Sequence, residues 1–141
     1  MRKIDTGSEV VNFAFTPRGD QLAVATRTGV DFYDSITWDR TRSLPMRMDT
    51  YANFIFAPDG ETVWINSDAR RAALYRLRDL KILLPLPVDT LPLAISPDAR
   101  YLAVSVESRR LQLWDLMEVR KQLRDVGLDW VSDPVAATVR R

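Results

Sequence analysis

Apolar and polar residues alternate in short runs along most of this chain, and the runs recur. Residues 21–26 alternate with Leu22 and Val24 on one face. A tight turn at Arg27, Thr28 and Gly29 leads into residues 30–34, where Val30 and Phe32 share one face and Tyr33 takes the other. Residues 62–66 and 72–77 repeat this plan, and residues 101–106 and 111–116 repeat it again, with Tyr75 falling where the third copy has Trp114. A period of two marks half-buried strands.

A shorter apolar strand precedes each pair, at residues 10–15, 51–57 and 93–96, and a proline turn joins it to the pair. The turns occupy residues 17–20, 58–60 and 97–99; in the first, Pro17 fixes φ and Gly19 permits a positive φ. Their prolines, Pro17, Pro58 and Pro97, are 41 and 39 residues apart. A period near forty with several strands per unit predicts propeller blades. Leu22, Val63 and Leu102 are then expected as equivalent buried positions, and the aromatics Phe32, Tyr33, Tyr75 and Trp114 as packing between blades.

Outer strands are expected at residues 42–48, where Pro45 suits an edge, and at 80–87. Asp5-Thr6, Asp49-Thr50 and Asp89-Thr90 each stand just ahead of a first strand, which places residues 2–5 as an outer strand too. After Leu116 the period changes: Leu116, Val119, Leu123 and Val126 share one helical face, and Gly127 suits a left-handed helix end. The expectation is an all-β chain of four-stranded antiparallel propeller blades with a short C-terminal helix. Three blades fill residues 1–116, in units of about 7–48, 49–88 and 89–116 with 2–5 as the outer strand. An amphipathic helix with its cap, including Leu128 and Trp130, fills 117–130, and a flexible tail fills 131–141. In the third blade the helix replaces the fourth strand.

Composition narrows the chemistry. The 141 residues are 46% hydrophobic and 28% charged, as in one globular domain, and a net charge of +1 gives no strong field for nucleic acid or an anionic membrane. With neither cysteine nor histidine, the chain has no thiolate nucleophile, no Ser-His-Asp triad and no Cys- or His-ligated metal. No catalytic residue, metal or cofactor is expected. The first ten residues lack the apolar run of a signal peptide, and the longest apolar stretch, residues 82–88, holds two prolines and is far too short to cross a membrane. Cytoplasmic placement is the expectation.

The run ISPDARYLAVSVESRRLQLWDL, with its copies FTPRGDQLAVATRTGVDFYD and FAPDGETVWINSDARRAALYRL, resembles the WD-repeat family of β-propellers over residues 2–116. Arg76 stands where the terminal Asp of the motif belongs in the second copy, and the Gly-His pair of many members is missing throughout. Residues 113–130 are similar to the helical ending of bacterial WD-repeat proteins of planctomycete type, in which such propellers often follow a protein kinase. The resemblance implies a scaffold that binds a protein or peptide at one end of the propeller.

Arg27, Arg70, Arg71, Arg109 and Arg110 all fall in turns between second and third strands, at the end where Asp49 and Asp89 emerge. They form either a docking face for an acidic peptide or phosphate, or surface pairs between loops. The functional readings are an interaction scaffold, a structural terminal fragment of a larger signalling propeller, and, more weakly, a polyanion or nucleic-acid binder. A homodimer closing a six-bladed ring is a further expectation, with residues 2–5 of each copy completing the partner's third blade, since three blades leave two open edges.

Overall fold

The computed structural model describes residues 1–127; the expectations for Leu128, Trp130 and the tail at 131–141 lie outside the described residues. The chain forms three antiparallel sheets. The first contains β1 (Val10–Phe15), β2 (Gln21–Thr26), β3 (Gly29–Asp34) and β4 (Arg40–Pro45) in that order. The second contains β5 (Asn53–Phe56), β6 (Thr62–Asn66), β7 (Ala72–Arg76) and β8 (Ile82–Pro85) in the same order. The third has only β9 (Thr90–Ile95), β10 (Tyr101–Val106) and β11 (Arg110–Asp115), and α1 (Leu116–Asp125) follows directly.

The proline turns superimpose in their hydrogen bonds. Thr16, Ala57 and Ser96 each donate their backbone N–H to the residue that opens the next strand, Gln21, Thr62 and Tyr101. Two positions after each proline, the N–H of Gly19, Gly60 and Ala99 returns to the same three residues' carbonyls at 2.8–2.9 Å. The three units are therefore one hairpin design written three times. Gly29 has a different reason to be glycine: a Cβ there would lie 2.5 Å from the Leu44 carbonyl oxygen of the neighbouring strand.

Strand register fixes the two faces of each sheet, because opposed residues share a face. Leu22 opposes Tyr33, Val63 opposes Tyr75, and Leu102 opposes Trp114; this face looks back to the preceding blade and is here called trailing. Ala23 opposes Phe32, Trp64 opposes Leu74, and Ala103 opposes Leu113 on the leading face, which looks to the next blade. The leading face of blade 1 (Ala23, Ala25, Val30, Phe32) packs on the trailing face of blade 2 (Phe54, Val63, Ile65, Tyr75). Small alanines on one side meet large side chains on the other. At the second seam the sizes change: Ile55, Trp64 and Leu74 pack on Leu102 and Val104, with Leu116 of the helix closing the cluster.

Two expectations are corrected, for Leu22 and for residues 2–5, and Trp114 is less covered than its equivalents. Leu22 is half-buried while Val63 and Leu102 are fully buried, because among the described residues no blade packs on that face of blade 1. Trp114 packs against the second seam as expected but is only half-buried, unlike Tyr33 and Tyr75, since among the described residues no outer strand flanks β11. Residues 2–5 run as irregular chain rather than as an outer strand; the local bonds from Gly7 N–H to Asp5 Oδ1 and from the Thr6 hydroxyl to the Ser8 carbonyl turn the chain instead.

Candidate functional site

At one end the β2–β3, β6–β7 and β10–β11 turns meet the links that lead into the first strands. Backbone bonds tie them: Arg27 N–H to the Glu9 carbonyl, Met48 N–H to Arg27, Asp49 N–H to Ser67, Asp89 N–H to Arg70, and Glu107 N–H to Asp89. The turn arginines and the acidic links therefore do share an end of the molecule, as the repeat spacing implies.

Most of these arginines are engaged locally. Arg27 Nε donates to Glu9 at 3.0 Å, and Arg110 pairs with Glu107 of its own turn. Arg70 grips Asp89 in a two-point bond, Nε to Oδ1 at 2.7 Å and Nη2 to Oδ2 at 3.0 Å. That bond holds the Asp89 carboxyl below the usual carboxylate range and raises the Arg70 guanidinium. Asp89 sits at φ +64, and its N–H is fixed by the Arg70 carbonyl, so the side chain is aimed as well as paired.

A recess of about 470 Å³ lies beside this pair, lined by Arg47, Asp49, Ser67, Asp68, Arg70 and Arg71 with Ala69 and Val88. Of the expected residues it gathers Asp49, Arg70 and Arg71; Asp89 joins through its bond to Arg70, while Arg27, Arg109 and Arg110 do not line it. Arg47 and Arg71 are exposed, and no ion pair to either is seen among the described residues. The repeat argument missed Arg47, which lies in the link after β4 rather than in a turn. Its signal was available: Arg47 stands two residues before the Asp49-Thr50 pair that marks this end of the blade. Asp49 itself accepts the Tyr51 N–H at 2.7 Å, so its carboxylate shapes the link that borders the recess.

A second feature went unread in the sequence. Arg42 of β4 opposes Phe32 and so lies on the leading face, with its guanidinium 4.5 Å over the Phe32 ring. Its Nη1 donates to the Leu77 carbonyl of blade 2, and its Nη2 donates to Gln21 Oε1 at 2.9 Å. Burial pushes its pKa down, opposed by the charges of Asp20 and Asp79. Arg42 staples blade 1 to blade 2 from the rim.

The missing fourth strand of blade 3 leaves an apolar groove of about 390 Å³ between Leu84–Pro87 of the preceding blade and Trp114, Asp115, Glu118 and Val119. The Asp115 side chain caps α1 by accepting the Met117 N–H at 3.1 Å and meets Arg100 at 3.2 Å. Asp34, at the corresponding end of β3, accepts from Ile36 and Thr37, and those bonds lower its pKa. The same terminal aspartate thus begins a turn in one blade and a helix in another. Along α1, Leu116 is buried, Val119 and Leu123 are half-buried, and Val126 is exposed. Gly127 follows at φ +76, the left-handed ending its position suggested. Among the described residues no helix is long and apolar enough to cross a membrane, and no three acidic side chains are placed to hold a metal ion.

No family model matches the chain, and no curated protein matches it. Solved structures do. The structure of U3-55K and the crystal structure of the RRP9 WD40 repeats each give a TM-score of 0.66 at 10% identity, covering 82% of this chain and 38% of theirs. The β-propeller domain of Myceliophteria thermophila Cps50 (Swd1) gives 0.64 at 18% identity, covering 80% of this chain and 37% of that one. The chain spans under two-fifths of the length of the structures it matches. At such identities the likeness carries the fold, and with the repeated hairpins and opposed faces it fixes that fold: the described sheets are three β-propeller blades, similar to those of WD40 propeller structures.

Proposed function

We propose that the chain is a non-enzymatic protein-interaction module that docks an acidic peptide at the turn end of its blades. The observation that supports this reading is the recess beside Asp49, where Arg47 and Arg71 stand exposed while Arg70 is occupied by Asp89. Two unengaged guanidinium groups flanking a recess suit carboxylate side chains spaced along an extended segment. WD40-type blades are usually scaffolds, and a chain without histidine or cysteine has few groups suited to acid–base or nucleophilic work near neutral pH.

Fluorescence anisotropy with a fluorescein-labelled Glu-rich peptide tests the docking face, with labelled heparin as comparator. The pair Arg47→Glu and Arg71→Glu is expected to weaken peptide binding at least about tenfold, or about 1.4 kcal/mol, with unchanged thermal melting. If the wild-type chain binds heparin but not the peptide, with steep loss in salt, the polyanion reading takes its place. A second reading, that these blades are the structural end of a larger propeller, is favoured by the 38% coverage of the U3-55K and RRP9 structures.

A further inference from the structure

The two outermost sheet faces of the molecule carry residues that the repeat buries everywhere else. On the leading face of blade 3, Leu111 and Leu113 are 73% and 69% exposed. Their register partners are Ser105 and Ala103, which follow Pro97 by the same steps as Ala25 and Ala23 follow Pro17. The equivalents in blade 1 are therefore Val30 and Phe32, both fully buried, and in blade 2 Ala72 and Leu74, also buried. On the trailing face of blade 1, Phe13 and Phe15 are 66% and 55% exposed. Their equivalents by register are Phe54, which is 8% exposed, and Phe56, which packs against the core of the first seam.

One uncovered face is leading and the other is trailing, so they are unlike, and they are the two halves of a seam the molecule already makes twice. In the second seam the first strand of the following blade, β9, lies against β5, β6 and β7 of the blade before it. By that rule the bare β10–β11 surface calls for a first strand, and β1 is the strand of blade 1 left bare. The rest of the blade 1 trailing face is occupied: Val24 and Tyr33 are buried, and the Asp5 carboxylate of the N-terminal segment is close enough to Tyr33 to help raise its pKa, after burial and Asp31.

We propose that the Leu111/Leu113 face of blade 3 receives the Phe13/Phe15 strand of a second copy of this chain, head to tail. Two copies make two such junctions and a closed ring of six blades, within the four to eight that propellers use. Each junction covers on one copy the leucines and on the other the phenylalanines, whose equivalents the internal seams bury. These junctions are separate from the arginine recess, which lies at the turn end and not on a sheet face.

Light scattering after gel filtration of the whole chain at about 50 µM, well above a Kd of about 1 µM, reads the answer. Wild type is expected at twice the chain's mass, while Leu113→Asp and Phe13→Asp each run as single copies, both junctions being broken in either. Mixed in equal amounts, the two variants are expected to recover a two-copy species, because one keeps an intact leading face and the other an intact trailing face. Both side chains are exposed, so circular dichroism spectra at about 20 °C should match wild type, while the melts fall because the stabilisation from association is lost; if an aspartate variant is unfolded at that temperature, Leu113→Ser and Phe13→Ser take its place. A single-copy wild type overturns the proposal and leaves these faces to further blades of a longer polypeptide. A two-copy wild type whose variants do not complement overturns it as well, since like faces would then be paired with like.

Discussion

Single residues carry the repeat and also its exceptions. Gly19 and Gly60 hold φ at +70 and +75, and Ala99, at the same step of the third hairpin, is held at +60. An L-residue loses about 1–2 kcal/mol in that conformation. Glycine there removes the strain but adds freedom to the unfolded chain. Ala99→Gly is therefore expected to stabilise the protein by about 0.5–1 kcal/mol, read as a rise in melting temperature. A fall would mean that the Ala99 methyl contributes more in its recess beside Leu116 and Ile95 than the strain costs. The proline turns were legible in the sequence because a turn is a local object, fixed by four or five neighbouring residues. Arg42 was not: alternation puts it on one face with Leu44, but which face of an outer strand meets the next blade is a matter of packing that no pattern of types reveals.

Elements were legible wherever alternation is strict, and their surroundings were not. Strand β11 alternates as cleanly as β3 or β7, yet its flank is bare, because the chain turns into α1 where β3 and β7 continue to an outer strand. Trp64 and Trp114 show the consequence. Trp64 is 1% exposed between blades 2 and 3, whereas Trp114 is half-buried and donates its indole N–H to the exposed Gln112 side chain. Trp64→Ala is expected to cost about 3–5 kcal/mol, the range for a core aromatic. Trp114→Ala should cost only about 1–2 kcal/mol, the share left when half the side chain is already in water. Urea unfolding measures both, and equal losses would show that Trp114 is covered in solution.

At the scale of the molecule, the sequence showed three blades but not which of their faces would be met, since a face is apolar whether or not anything covers it. Blade 2 has both faces packed, while blades 1 and 3 have one each. In a linear array the stability of a unit is its own plus that of its seams. Amide hydrogen exchange on single copies, as the Leu113→Asp variant provides, is therefore expected to be slowest in β6 and β7 and faster in β3 and β10, with at least about tenfold between them. Uniform protection would mean that the three blades open as one. The unlike faces have another consequence. Each blade is a tile with one convex and one concave edge in chemical terms: the contacts at either side are indifferent to how many tiles lie beyond. Copying or deleting a whole period of about forty residues leaves every remaining edge with an edge of the opposite kind. Copying half a period would set two edges of the same kind together, Phe32-like against Leu74-like, with no hairpin to turn one of them over. The length of such a chain can change in steps, and the step is one blade.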